Sequence, residues 1–137
     1  MPELKDYVFC GCASLGALYS IELMFKAKEA QTKYYTKGAS TNEVAVSWTT
    51  WFGKEIGNEL LIAAAAYYTA HKVGADCVKN AVGMSYVLAW FSSFVKKTMS
   101  EKDGEMKNEI AVTVVTLGCS LSLIGCFLPA FLKDMKK

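Results

Sequence analysis

From Ile110 to Leu132 the chain runs without one charged side chain. Wound as an α-helix at about 1.5 Å per residue, that stretch reaches roughly 34 Å, enough to cross the ~30 Å hydrocarbon layer of a bilayer. Three further stretches repeat the pattern. Tyr7 to Phe25 holds Glu22 as its single charge, Ile56 to His71 holds Glu59, and Asn80 to Val95 holds none. The composition agrees, with 53% hydrophobic and 20% charged residues, against about 45–50% and about 25% in soluble domains. The chain is therefore expected to be all-α: one transmembrane domain over 1–137, a polytopic membrane protein built as an antiparallel four-helix bundle. Its spans are expected near 7–25, 56–71, 80–95 and 110–132.

The charges mark the ends. Lys26 and Lys28 close the first span, and the polar residues 26–42 read as an aqueous loop that ends in Ser40-Thr41-Asn42, which is helix N-cap chemistry. The second helix then starts near residue 43, before its span. Its Trp48 and Trp51 suit the headgroup level, where an apolar ring and a polar N–H are both satisfied. Residues 72–79 allow only a tight connection. Lys96-Lys97 ends the third span, and Gly104 lies where a turn is needed. Met1 to Asp6 does not read as a secretory signal. Four spans put both termini on one side, and the lysines lean toward placing the two longer loops inside.

A net charge of +2 offers no basic stripe for a nucleic-acid backbone. All fifteen basic residues are lysine, so the bidentate arginine fork that clamps phosphates is missing. The five cysteines are an odd number; Cys10, Cys12, Cys119 and Cys126 fall in apolar spans, where they read as packing residues. There is no H-E-x-x-H, G-x-S-x-G or phosphate-cradling glycine loop. What chemistry remains is sparse. Glu22 and Glu59 fall at similar depth near one interface, where with Asn58 and Lys54 they could hold a cation or a proton. Unpaired charge in hydrocarbon is costly, so such groups need a partner. His71 is the single histidine and could ligate a metal or a tetrapyrrole. If the chain serves photosynthesis and holds chlorophyll or carotenoid, the ligands would be His71, or Glu59 with Asn58. Trp48, Trp51, Trp90 and Phe91 would then form the apolar wall.

Packing signals are stronger than chemical ones. Gly53-x-x-x-Gly57, the series Cys12, Gly16 and Ser20, and the series Gly118, Ser122 and Gly125 each put small residues at helical spacing, which lets backbones approach in lipid. The first span, the paired Tyr34-Tyr35, the segment WFGKEIGNELLIAAAAYYTAHKV over Trp51 to Val73 and two further spans together resemble the small four-helix membrane proteins of the DoxX-like kind. That resemblance implies a four-helix bundle and carries over no functional residue. The expected role is a non-catalytic accessory subunit of a larger membrane complex, photosynthetic or respiratory, in a thylakoid or mitochondrial inner membrane. Its partners would be lipids and other membrane subunits. Two other classes stay open: a small homo-oligomeric transporter or channel using Glu22 and Glu59, and a membrane thiol oxidoreductase using Cys10-Gly11-Cys12.

Overall fold

A computed structural model describes residues 2–35 and 42–136 and places five α-helices among them, with no strand. They are α1 (Leu4–Phe25), α2 (Ala27–Tyr34), α3 (Glu43–Lys72), α4 (Asp76–Lys102) and α5 (Ile110–Asp134). At the start of α1 the Asp6 carboxylate reaches back to accept the Glu3 backbone N–H at 2.7 Å, which satisfies one of the donors a helix N-terminus leaves open. α3 opens as expected on Asn42, whose Oδ1 accepts the Val44 N–H at 2.9 Å; Ser40 and Thr41 lie outside the described residues. α3 and α4 both end on a glycine in the left-handed region, Gly74 at φ 70° and Gly104 at φ 72°. The next residue in each case bonds back to the helix, Ala75 N–H to Ala70 and Glu105 N–H to Ser100, both at 2.8 Å.

Two boundaries differ most from the sequence reading, and α4 also starts at Asp76 rather than Asn80, taking residues 76–79 from the expected connection. Residues 27–34, expected in an aqueous loop, form α2. Its Ala27, Ala30, Gln31 and Tyr34 recur at helical spacing and are buried, while Lys28, Glu29 and Lys33 face outward. So short a helix is held by packing rather than by propensity. The Lys107 N–H bonds to the Tyr34 carbonyl at 2.8 Å, which ties α2 to the connection between α4 and α5. The second difference is at Lys96-Lys97, where α4 does not stop. Lys97 is buried, bonds to Glu101 one turn on and to Thr113 of α5, and the helix continues to Lys102.

The four long helices pack in a closed ring in the order α1, α3, α4, α5, and α4–α5 and α1–α3 are the closest pairs. The first of these is antiparallel by register, since Gly83 meets Phe127 and Lys97 meets Thr113. In the second, Gly16 faces Leu60, Ser20 faces Gly57, and Leu23 faces Gly53. Gly16 and Ser20 of the Cys12, Gly16, Ser20 stripe and the pair Gly53 and Gly57 thus make one close α1–α3 contact, pinned where the Ser20 hydroxyl donates to the Gly53 carbonyl at 2.7 Å, while Cys12 lies beside Cys119 of α5. The core centres on Phe9, Tyr67, Tyr86, Leu123 and Phe127. The third small-residue series behaves differently. Gly118 and Gly125 have nothing near them and Ser122 is exposed, because α5 turns Thr116, Cys119, Ser120, Leu123 and Phe127 inward instead.

α1 and α5 are long and apolar enough to cross a membrane, and only 28% of the apolar window of each is buried inside the chain. Most of their apolar surface therefore points outward. The stretches 56–71 and 80–95 lie inside α3 and α4, which carry more polar residues and do not reach the same apolar measure.

The glycines give a paired test. A Cβ at Gly83 would sit inside the Phe127 ring, whereas one at Gly118 meets open space. Gly83→Ala is expected to destabilise the bundle by about 1–3 kcal/mol through overpacking. Gly118→Ala should be neutral or stabilising by up to about 1 kcal/mol, since it removes glycine's excess chain entropy. Thermal unfolding of the purified chain in detergent, read by circular dichroism, distinguishes the two.

Candidate functional site

The densest polar cluster joins all four long helices at the end of the bundle that holds the termini. Lys79 of α4 is 3% exposed, and its ammonium lies 2.8 Å from the Asp6 carboxylate of α1. The same carboxylate accepts the Tyr67 hydroxyl of α3 at 2.8 Å and, through its other oxygen, the Glu3 amide. His71, one turn beyond Tyr67, approaches Lys79 at 3.3 Å and Asp6 at 3.9 Å through Nδ1. Next to Lys79, Asn80 donates to Asp134 of α5 at 2.7 Å, and its amide oxygen accepts from Lys5 at 3.4 Å. Beneath this layer Phe9 stacks between Tyr67 (centroids 3.9 Å apart, planes at 8°) and Tyr86 (4.5 Å, 19°). The Lys79 charge, nearly dry, is thus neutralised by a carboxylate that is itself fully hydrogen-bonded, the condition under which a buried ion pair is tolerated.

Charge pairing at the other end is local. Glu22, expected opposite Glu59, instead accepts Tyr34 at 2.6 Å and Lys33 at 3.0 Å, both from α2. Burial pushes the Tyr34 phenol up and its bond to Glu22 adds to that rise; Tyr34 and Glu22 together raise the Lys33 ammonium. Glu59, Asn58 and Lys54 are exposed on α3, and no bond among the described residues joins them to Glu22. The shared carboxylate cluster is therefore not formed, because the unforeseen helix α2 supplies the partners of Glu22. Among the described residues no group of three or more His, Cys, Asp or Glu side chains stands close enough to hold a metal ion.

The remaining candidates are scattered. His71 and Trp48 lie on the same helix but roughly 35 Å apart at 1.5 Å per residue, so one ring cannot contact both. Trp48 and Trp51 are exposed near the start of α3, Trp90 packs against the core, and Phe91 faces outward on α4. Cys10-Gly11-Cys12 is divided by the helix: Cys10 is exposed, while Cys12 is buried beside Cys119.

Asp6 and Lys79 escape a reading by charge because both sit just outside the expected spans. Periodicity would have found them. Asp6, Phe9, Cys12, Gly16, Ser20 and Leu23 form one buried stripe on α1, and Lys79, Gly83, Tyr86 and Val87 form another on α4. No protein-family model, curated protein or solved structure matches the chain.

This geometry predicts strong coupling between Asp6 and Lys79. Lys79→Met or Asp6→Asn alone leaves one charge without its partner and should cost about 3–5 kcal/mol, while the double variant should recover much of that loss. A double-mutant cycle of thermal stability in detergent measures the coupling; simple additivity would mean the pair is no tie.

Proposed function

We propose that the chain is an integral membrane four-helix bundle that serves as a non-catalytic accessory subunit of a larger membrane assembly. The supporting observation is how its polar and apolar groups are distributed. The strongest polar groups are bound between helices: Asp6 to Lys79 and Tyr67, Asn80 to Asp134, Glu22 to Tyr34 and Lys97 to Thr113. Large apolar side chains point outward from every long helix, among them Leu18, Ile62, Leu88 and Leu121. A bundle that consumes its polar groups as helix ties and offers apolar faces suits lipid and neighbouring subunits better than it suits turnover. On this reading α3 and α4 also cross the membrane, with their polar residues at the ends or turned to neighbours. That architecture is the one the DoxX-like resemblance implies. Photosynthetic and respiratory supercomplexes, in thylakoid or inner mitochondrial membranes, are the assemblies we have in mind. Transport through Glu22 and Glu59 is less well supported, since Glu22 is engaged by α2.

Mild extraction decides the matter. Solubilised in digitonin and run on a native gel, the chain should migrate with an assembly many times its own 15.0 kDa and with the same partner subunits in repeated preparations. An absorption spectrum of that band shows whether pigment or haem accompanies it. A chain that migrates solely as a monomer or dimer would overturn the proposal.

A further inference from the structure

Near the middle of α3, four polar side chains find no partner among the described residues. Lys54, Asn58 and Glu59 are exposed and Glu55 is partly buried, and none of the four side chains makes a hydrogen bond or an ion pair there. Elsewhere the carboxylates at the helix seams are engaged, Asp6 by Lys79, Glu22 by Lys33 and Glu101 by Lys97. Glu55 and Glu59 stand one turn apart on α3, so two like charges share a face. Lys54 is at neither of the spacings, three or four residues, at which helical side chains meet those carboxylates, and it bonds to neither.

The depth of this face is set by α1. Gly57 lies against Ser20 and Leu60 against Gly16, and Gly16 is roughly 18 Å from the Leu4 end of α1 and roughly 13 Å from its Phe25 end. Since α1 is long and apolar enough to cross a membrane, Glu59, next to Leu60, falls near the middle of the crossing. An ionised carboxylate turned to acyl chains at that depth is costly, and such groups pair with another polar group inside a protein contact. Beside it Leu61 and Ile62 are 70 and 71% exposed, so the polar group is set in apolar surface, as in a contact between helices.

The charges decide what covers it. Two carboxylates against one lysine leave the face negative. A second copy of this chain in the same orientation would bring Glu59 against Glu59 at equal depth across a symmetric contact, and like charges would meet. We propose that the Glu55–Glu59 face of α3 docks a transmembrane helix of a different protein that carries a lysine or arginine near the bilayer centre. The inference rests on the accessory-subunit reading, with α3 crossing the membrane, and adds to it the chemistry of the neighbour.

The test uses the full chain in dioleoyl phosphatidylcholine vesicles with leucine-rich transmembrane peptides that carry a dansyl group and have lysine, glutamate or leucine at the central position. Energy transfer from Trp48 and Trp51 of the chain to dansyl reads association. The lysine peptide should bind about tenfold more tightly than the leucine peptide, and the glutamate peptide no more tightly than leucine. Glu55→Gln with Glu59→Gln should remove the preference, and Glu55→Gln with Glu59→Lys should turn it toward the glutamate peptide, which a structural effect alone would not do. Circular dichroism confirms that each variant keeps its helices. Equal binding of the three peptides, or a lysine preference that survives loss of both carboxylates, would overturn the proposal. On the native gel, an assembly that persists in the double glutamine variant overturns this contact and leaves the accessory reading standing. A lysine preference in a chain that migrates solely as a monomer overturns that reading alone.

Discussion

The Asp6–Lys79 pair is the constraint on which the bundle most depends. A lysine that is 3% exposed can stay charged only if a carboxylate meets it, and a carboxylate so placed must have its own lone pairs filled. Tyr67 and the Glu3 amide fill them. One pair therefore fixes the start of α1, the end of α3 and the start of α4 relative to one another, while Asn80 brings in the end of α5. Hydrophobic contact alone would let these helices slide or rotate by a residue with little penalty, because apolar surfaces are interchangeable. A directional network permits one register.

Away from that layer, close approach replaces polar contact. If lipid surrounds the chain, burying leucine against leucine gains little over burying it against acyl chains, and association has to come from backbones that come near one another. Gly16, Gly53 and Gly57 supply that between α1 and α3, and the Ser20 bond to the Gly53 carbonyl is possible only because no side chain stands between. Between α4 and α5 the same logic takes another form, in which Gly83 leaves the space that the Phe127 ring fills. The bundle thus has a polar end, a tightly apposed seam and an aromatic centre, and large apolar side chains point outward from each long helix.

This division is what supports the proposed reading of the chain as a component of a larger assembly. A catalytic or transport site keeps polar groups incompletely satisfied so that a substrate can engage them. Here Glu43 and Glu59 lie exposed on the outside of α3, and the carboxylates nearest the interior, Asp6, Glu22 and Glu101, are bound to lysine or tyrosine.

Class and element order were legible in the sequence because they follow from local quantities. The uncharged run from Ile110 to Leu132, the capping of α3 by Asn42, the turn at Gly104 and the fitness of Gly53 and Gly57 for close helix approach all depend on spacing and on single-residue conformational preference; that α1 is the helix they meet does not. Three things were decided only by the tertiary structure. The helix α2 exists because Tyr34 and Gln31 find α1 and α3 to pack on, which no propensity of so short a polar segment would reveal. Glu22 pairs with Lys33 and Tyr34 rather than facing Glu59, because a carboxylate takes the nearest donors and those come from that helix. Finally, Gly118, Ser122 and Gly125 face outward although they resemble the stripe on α1. A row of small residues permits close approach, but which row is used is settled by the rotation of the helix, and on α5 the bulk of Leu123 and Phe127 fixes that rotation.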